Sequence, residues 1–439
     1  MKEKVSRLYS PRFIEMFFIL FPIIEVLTSI LKRNFNVRFS PGIVYKAIFL
    51  IYAVIYLVVI NKKNRKILSV LMLAIVAFGA TNLCVIGLSF DSLSNLSNLI
   101  TFVLSVMFFY AYIGNGNKIR IESVVYCVLV YCTLIKLAEL TGTQLATYRG
   151  DLSLGTKGWY YSGNELSAVL SIFLPVVIYY AANTLSFTGI ITLFLQIQTL
   201  LSIGTKTSLI VPLLVTILYS VLTVINWITN KSLINKKLLC MLLIVIAFMA
   251  CILPNMASYK FSVLRMKENI KDTSLNSDVD SESVNLKNNS KDGLDNFILN
   301  GRSNFLKLQK ELYSNTTLLE KLFGVKYQNR LGYDNDKQIK TMEIDIYDIA
   351  INFGIVGVVL FYFSIVFCVV SYIYKRFSIK KIETNNEGIT MFMSLCIAIA
   401  ISCIAGHVMT SSTIVIFVAY LLGELSGISE LNKGKLNEK

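Results

Sequence analysis

The residues of this chain that could do chemistry fall in five groups, each at the edge of an apolar run. Tyr148-Arg149-Gly150 leads through Lys157 and Gly158-Trp159-Tyr160-Tyr161-Ser162-Gly163-Asn164. An arginine can fork onto phosphate oxygens, and clustered Trp and Tyr suit either sugar stacking or a membrane interface. The same set also fits an aromatic belt with a snorkelling arginine. Ser202-Ile-Gly204-Thr205-Lys206-Thr207-Ser208 places a cation and hydroxyls where one helix ends and the next begins. Free N–H groups there would hold an anion, although Thr207 and Ser208 also read as plain caps. Asn300-Gly301-Arg302 follows an acidic, Asn- and Ser-rich stretch, 271–295, whose composition reads as mobile; alone, Arg302 reads as a surface residue.

Glu343, Asp345 and Asp348 stand at the entrance of an apolar run, where a helix dipole tolerates carboxylates. Asp348 falls toward the bilayer, where a charge is expensive and is retained for function or pairing. A carboxylate there could deprotonate a hydroxyl. His407, the sole histidine, sits in a tight turn between two apolar runs. A lone histidine is more often structural, yet its ordinary pKa makes it a second candidate base.

The elements that must hold these groups are membrane helices. A chain of 439 residues that is 55% hydrophobic and 16% charged would expose too much apolar surface as a soluble domain. Several runs reach the 18 or more residues that cross a hydrocarbon core of about 30 Å. The alternating ten-residue pattern of a membrane β-barrel is missing. The fold class is therefore all-α, polytopic, with about twelve spans near 13–31, 43–60, 67–89, 97–114, 123–141, 164–182, 186–203, 207–226, 237–255, 344–373, 389–405 and 409–424. The first run, behind basic residues, reads as a span rather than a cleaved signal. All eight cysteines lie in or beside apolar runs, and no spacing reads as a metal or disulfide framework.

Lysines and arginines sort the connections. With Lys2, Lys4, Arg7 and Arg12 inside, the alternate connections carry Lys62/Lys63/Arg65/Lys66, Lys118/Arg120, Lys231/Lys236/Lys237 and Lys375/Arg376/Lys380/Lys381. The opposite connections are poor in cations, with Lys32/Arg33/Arg38 as the exception. Both termini are expected in the cytoplasm. The chain then divides into spans one to nine (1–255), a large extracytoplasmic loop (256–343), spans ten to twelve (344–424) and a cytoplasmic tail (425–439). The net charge of +15 is assigned to these loops and to anionic lipid rather than to nucleic acid. Every candidate residue falls on the outer side, away from ATP and nucleotide sugars, and no GxxxxGK[ST] loop is present. The reaction must use a substrate already energised.

In this order the pieces resemble the O-antigen polymerase and ligase family. Arg149…Gly158…Asn164 looks like its "R…G…N" signature, and Thr205-Lys206-Thr207 like its "T-x-S-R" turn with Lys206 at the usual arginine. Gly301-Arg302 looks like its "GR", Leu322-Phe323-Gly324-Val325 resembles its "GxG", and Glu343 through Gly354 and Gly357 look like its "H-N…G…G". Glu343 stands at the family's histidine, the base of the ligase branch. The E-x-D-x-x-D version looks more like polymerases of capsular and exopolysaccharide clusters, particularly in Gram-positive bacteria.

The resemblance implies a multi-pass glycosyltransferase of the bacterial cytoplasmic membrane. Its donor and acceptor would be undecaprenyl-diphosphate-linked oligosaccharides, transferred with inversion, without cofactor or metal. Arg149, Lys206 and Arg302, aided by Lys157, Asn164 and Trp159, would bind substrate and clamp the diphosphate. Glu343, with Asp345 or Asp348, would activate the acceptor hydroxyl, and the loop would exclude water. A flippase and a chain-length regulator are the implied protein partners. Competing readings are a ligase, a lipid-linked oligosaccharide flippase and a non-catalytic scaffold. A transporter should carry charges deep in its helices; Glu25 and Lys46 lie within a few turns of a helix end, and Lys136 and Glu139 near one.

The expected orientation has a direct readout. With the native cysteines replaced, a cysteine at Asn289 should react with a membrane-impermeant maleimide in intact cells, and one at Asn230 only after permeabilisation. The reverse pattern inverts the topology.

Overall fold

The computed structural model describes residues 9–35, 40–61, 65–148, 154–230, 236–264, 310–311, 313–326, 344–378, 386–404, 406 and 408–437. The elements are α1 (Pro11–Phe35), α2 (Pro41–Ile55, continued by a π turn Tyr56–Ile60), α3 (Arg65–Ile86), α4 (Phe90–Gly114), α5 (Ile121–Leu140), α6 (Gly163–Thr184) and α7 (Phe187–Ile203). After these come α8 (Lys206–Asn230), α9 (Lys236–Ile252), the short α10 (Leu318–Phe323), α11 (Asp345–Ser378), α12 (Asn386–Ile404) and α13 (Val415–Asn437). Among the described residues nine helices are long and apolar enough to cross a membrane; α7, α8 and α13 contribute shorter apolar stretches.

The helices divide into an inner set and an outer set, as the apolar solvent requires. Within the most apolar window of each, α6 is 83% and α4 72% buried, against 28% for α2 and for α3 and 22% for α9. The outer helices turn Ile43, Ile51, Leu73, Val76 and Leu243 outward, where in lipid they lose nothing. Inside, α13 packs most extensively against α4. Phe18, Phe109, Phe417 and Tyr420 interlock there, with ring centroids 5.2–6.2 Å apart.

Polar links collect at the two ends of the bundle. At one end the Glu15 carboxylate accepts from Arg120 Nε (2.9 Å) and Nη2 (2.7 Å), and Tyr112 Oη donates to the Tyr9 carbonyl. Asn115 donates to Tyr56 Oη beside them. The other end gathers the C-termini of α1, α3, α5, α7 and α12 with the N-termini of α2, α4, α6, α8 and α11. That is the partition an alternately crossing chain requires, and every described candidate residue belongs to the second end.

Two elements depart from the sequence expectation. Asp91–Leu96, read as a connection, is helical, because Ser89 and Ser92 cap each other reciprocally and start α4 at Phe90. The run 344–373, read as one helix, is broken at Gly354, where φ is +65°. A Cβ there would overlap the Leu322 carbonyl and the Phe323 nitrogen, so only glycine lets α10 reach the break. The opening is sealed by polar groups: Val325 N–H donates to the Ile351 carbonyl (2.8 Å), and Asn82 Nδ2 donates to the carbonyls of Phe323 and Asn352. Asn95 Nδ2 reaches Asn352 Oδ1 at 3.1 Å.

Gly354→Ala should therefore be severely destabilising, by about 3 kcal/mol or more, since its φ +65°, ψ −170° lies in a region populated essentially by glycine alone, costing about 1–3 kcal/mol before any overlap. A thermal unfolding scan in detergent should show a markedly lowered midpoint, whereas Gly87→Ala, which meets open space at its own positive φ, should lower it far less.

Candidate functional site

The described residues 143–148 and 154–163, between α5 and α6, form a strap across the polar end. Leu145 and Thr147 donate backbone N–H bonds to Gly158 and Gly155, and Lys157 returns one to Leu145. The strap is pinned to the α7–α8 turn, where Thr156 N–H donates to the Ser202 carbonyl (3.0 Å). Gly155, at φ +81°, lies so close that a Cβ would overlap the Ile203 carbonyl oxygen. Gly158 opposes Ile135 on α5, and Tyr160 packs on Tyr131, ring centroids 5.3 Å apart.

The strap and the start of α6 carry three of the expected site residues. Trp159 donates from Nε1 to Thr143 Oγ1 (2.8 Å), while Lys157 Nζ donates to the Tyr161 carbonyl (2.7 Å). Asn164 opens α6, just after Ser162, whose hydroxyl caps Glu165 N–H. Burial pushes the Tyr160 phenol well above its ordinary pKa, so it stays a neutral hydrogen-bonding group. Two cations of the Lys32/Arg33/Arg38 connection also belong here, Arg38 lying outside the described residues. Arg33 donates to the Trp159 carbonyl (3.2 Å), and Lys32 lies 5.9 Å from the Tyr161 ring centre. These two cations hold the strap.

The α7–α8 turn sets Lys206 at the first position of α8. Thr205, rather than Thr207 or Ser208, is the cap: its Oγ1 accepts from Ser208 N–H (3.2 Å), and Ser208 Oγ bonds back to its carbonyl (2.7 Å). Ser258, beyond α9, accepts from Gly204 N–H (3.1 Å) and meets Ser208 Oγ at 3.0 Å. Nearby Lys136 is paired with Glu139 (2.7 Å) and reaches Ser202 Oγ at 3.4 Å. Strap and turn thus bring Lys157 and Lys206 to one end of the bundle, beside a helix N-terminus.

The acidic group is resolved in part. Asp345 is fully buried; its Oδ2 accepts from the N–H groups of Val408 (2.9 Å) and Met409 (2.8 Å), and its Oδ1 from Thr410 Oγ1 (2.8 Å). Both oxygens thus accept hydrogen bonds, and Asp345 anchors the α12–α13 turn. Asp348 is 5% exposed and one turn further along α11. Arg149, Arg302, Glu343 and His407 lie outside the described residues, as does 271–295.

The sequence reading gave Glu25 and Lys46 no part in the site. The structure pairs them at 3.0 Å and adds Ser412 Oγ (3.0 Å) and Thr413 Oγ1 (3.2 Å) as acceptors for Lys46 Nζ. Their signal was an opposite-charge pair inside adjacent apolar runs. Beside them opens a cleft between α1, α5, α6 and the α12–α13 turn, lined by Glu25, Tyr131, Tyr160, Ser162, Glu165 and Thr413. The arrangement offers cations and N–H groups for an anion beside a polar, aromatic cleft for an uncharged group.

The family model of O-antigen ligase like membrane proteins matches residues 8–432, nearly the whole chain. A search of the curated proteins returns no match.

The Asp345 anchor has a measurable consequence. Asp345→Ala leaves two buried N–H groups without acceptors, at about 1–3 kcal/mol each. The variant should show a lowered unfolding midpoint and faster proteolysis at 406–414, while Asp345→Asn should retain part of the stability.

Proposed function

Because the chain belongs to the O-antigen ligase like family of membrane proteins, whose members are membrane enzymes of polysaccharide processing, we propose that it is a repeat-unit polymerase acting on lipid-linked glycan. It transfers an undecaprenyl-diphosphate-linked oligosaccharide to the acceptor sugar of a second, on the extracytoplasmic face of a bacterial cytoplasmic membrane, with both termini inside. The observation that carries this reading is the convergence of the strap, the Lys206 turn and the start of α11 on one end of the bundle.

In this account Lys206, Arg149 and Arg302 neutralise the diphosphate, with N–H groups at the start of α8 aimed at the same charge. Diphosphate needs no proton to depart once clamped, so the demanding proton transfer is from the acceptor hydroxyl. Glu343 takes that proton, with His407 as the second choice, and attack from the face opposite the diphosphate inverts the anomeric carbon. Asp345 fixes the residues following His407, and Asp348 supports the same helix start. Lys157, Trp159 and Asn164 orient the sugars beneath the strap. The large loop 256–343 excludes water; α10 within it already seats on the Gly354 break. No cofactor or metal is assigned to the reaction. The acceptor distinguishes the second reading, a ligase moving finished glycan to another molecule, which the matched family's description favours.

Polymer formation in a strain that depends on this protein tests the reading. Lys206→Ala, Arg302→Ala and Glu343→Gln, at matched membrane abundance, should each lower polymer synthesis about 100-fold or more, the usual effect of removing one transition-state donor or base. Single lipid-linked repeat units should accumulate on the outer face. Full-length polymer from all three removes the catalytic assignment, and repeat units trapped on the inner face indicate a flippase.

A further inference from the structure

The cleft beside the strap contains two polar groups that the fold leaves unused. Tyr131 and Tyr160 are 2% and 4% exposed, line this cleft, and have hydroxyls with no hydrogen-bond partner among the described residues. A buried hydroxyl without a partner is costly, and phenylalanine would fill either position at no such cost. Both rings come from elements that also form the strap contact, so the two hydroxyls are presented together. The opposite wall holds Glu25, drawn from α1 ten residues before its end, about 15 Å along the axis. Its side chain is 18% exposed, and Lys46 Nζ lies 3.0 Å from its carboxylate on one side. Thr413 Oγ1 bonds to the same lysine and lines the cleft as well.

The chemistry of the lining selects the ligand. Glu25 borders the cleft, and its partner Lys46 is committed to Glu25, Ser412 and Thr413. A neutral polyol fits these groups: a carboxylate accepts from vicinal hydroxyls, and phenol and threonine hydroxyls both donate and accept. Tyr161, whose ring is exposed beneath Lys32, supplies a face at the mouth. We propose that this cleft binds the acceptor sugar, with Glu25, Tyr131 and Tyr160 as its hydroxyl-recognising residues and Lys46 as the residue that positions Glu25. The inference rests on the glycan-transfer reading and adds to it a place for the acceptor, separate from the cations that serve the diphosphate.

The test uses the full-length protein in nanodiscs with the source strain's own lipid-linked repeat unit as donor. The acceptor probe is the same repeat oligosaccharide freed of its diphosphate, which can accept but cannot donate. Tyr131→Phe and Tyr160→Phe should each raise the KM for this probe about tenfold, the usual worth of one such hydrogen bond, with the donor KM unchanged. Their unfolding midpoints should stay level or rise, because each removes an unpaired buried hydroxyl. A structural role would lower the midpoint and leave the acceptor KM alone. Glu25→Gln should raise acceptor KM further, and Lys46→Arg should preserve it better than Lys46→Met. Acceptor KM within twofold of wild type in both tyrosine variants overturns the inference while leaving glycan transfer standing. Wild-type protein that transfers nothing to either acceptor overturns both.

Discussion

The polar end of the bundle depends on one buried carboxylate. Asp345 enters an apolar body at the head of α11, where a buried carboxyl group is tolerated only if its oxygens find hydrogen-bond donors. The α12–α13 turn supplies that bonding through two backbone N–H groups and the Thr410 hydroxyl. In return the turn is fixed: Asn98 on α4 holds the Thr410 carbonyl, and Ser412 and Thr413 receive Lys46 from α2, itself paired to Glu25 on α1. One continuous polar chain therefore ties four helices, α1, α2, α4 and α11, to the α12–α13 turn, and the cleft lies along its edge.

The second constraint is close approach of backbones. Gly354 breaks α11 where α10 arrives, and Gly155 brings the strap onto the α7–α8 turn. Broken helices are affordable at membrane depth only where other groups re-satisfy the freed carbonyls, which Asn82 and Val325 N–H do here. Both breaks occur at the end that carries Lys157, Lys206, Asp345 and Asp348. Irregular backbone and candidate chemistry thus coincide, as they do where membrane proteins line a polar cavity.

Much of this was legible from local sequence. Hydropathy marked the spans, Ser162-Gly163-Asn164 marked the start of α6, and the short connections poor in cations marked residues that gather at one end. What local pattern does not encode is partnership across the fold. Nothing near Gly354 says that α10 will seat against it, and Lys46 acquires Ser412 and Thr413 from 366 and 367 residues away. Asp345 reads as a helix-start acid and a candidate base; only its distant donors make it an anchor. Thr207 and Ser208 looked like caps because hydroxyls suit that role, yet Thr205 stands at the turn where the free N–H groups point.

The central claim is that substrate glycan is handled at the end of the bundle formed by the strap and the α12–α13 turn. Photocrosslinking tests it most directly, using a polyprenyl-diphosphate oligosaccharide with a diazirine on its first sugar, followed by peptide mapping of the full-length protein. The account predicts adducts within 154–166 and 408–413, competed by unlabelled substrate. Competable adducts confined to the opposite end, around Glu15, Asn115 and Arg120, would contradict it.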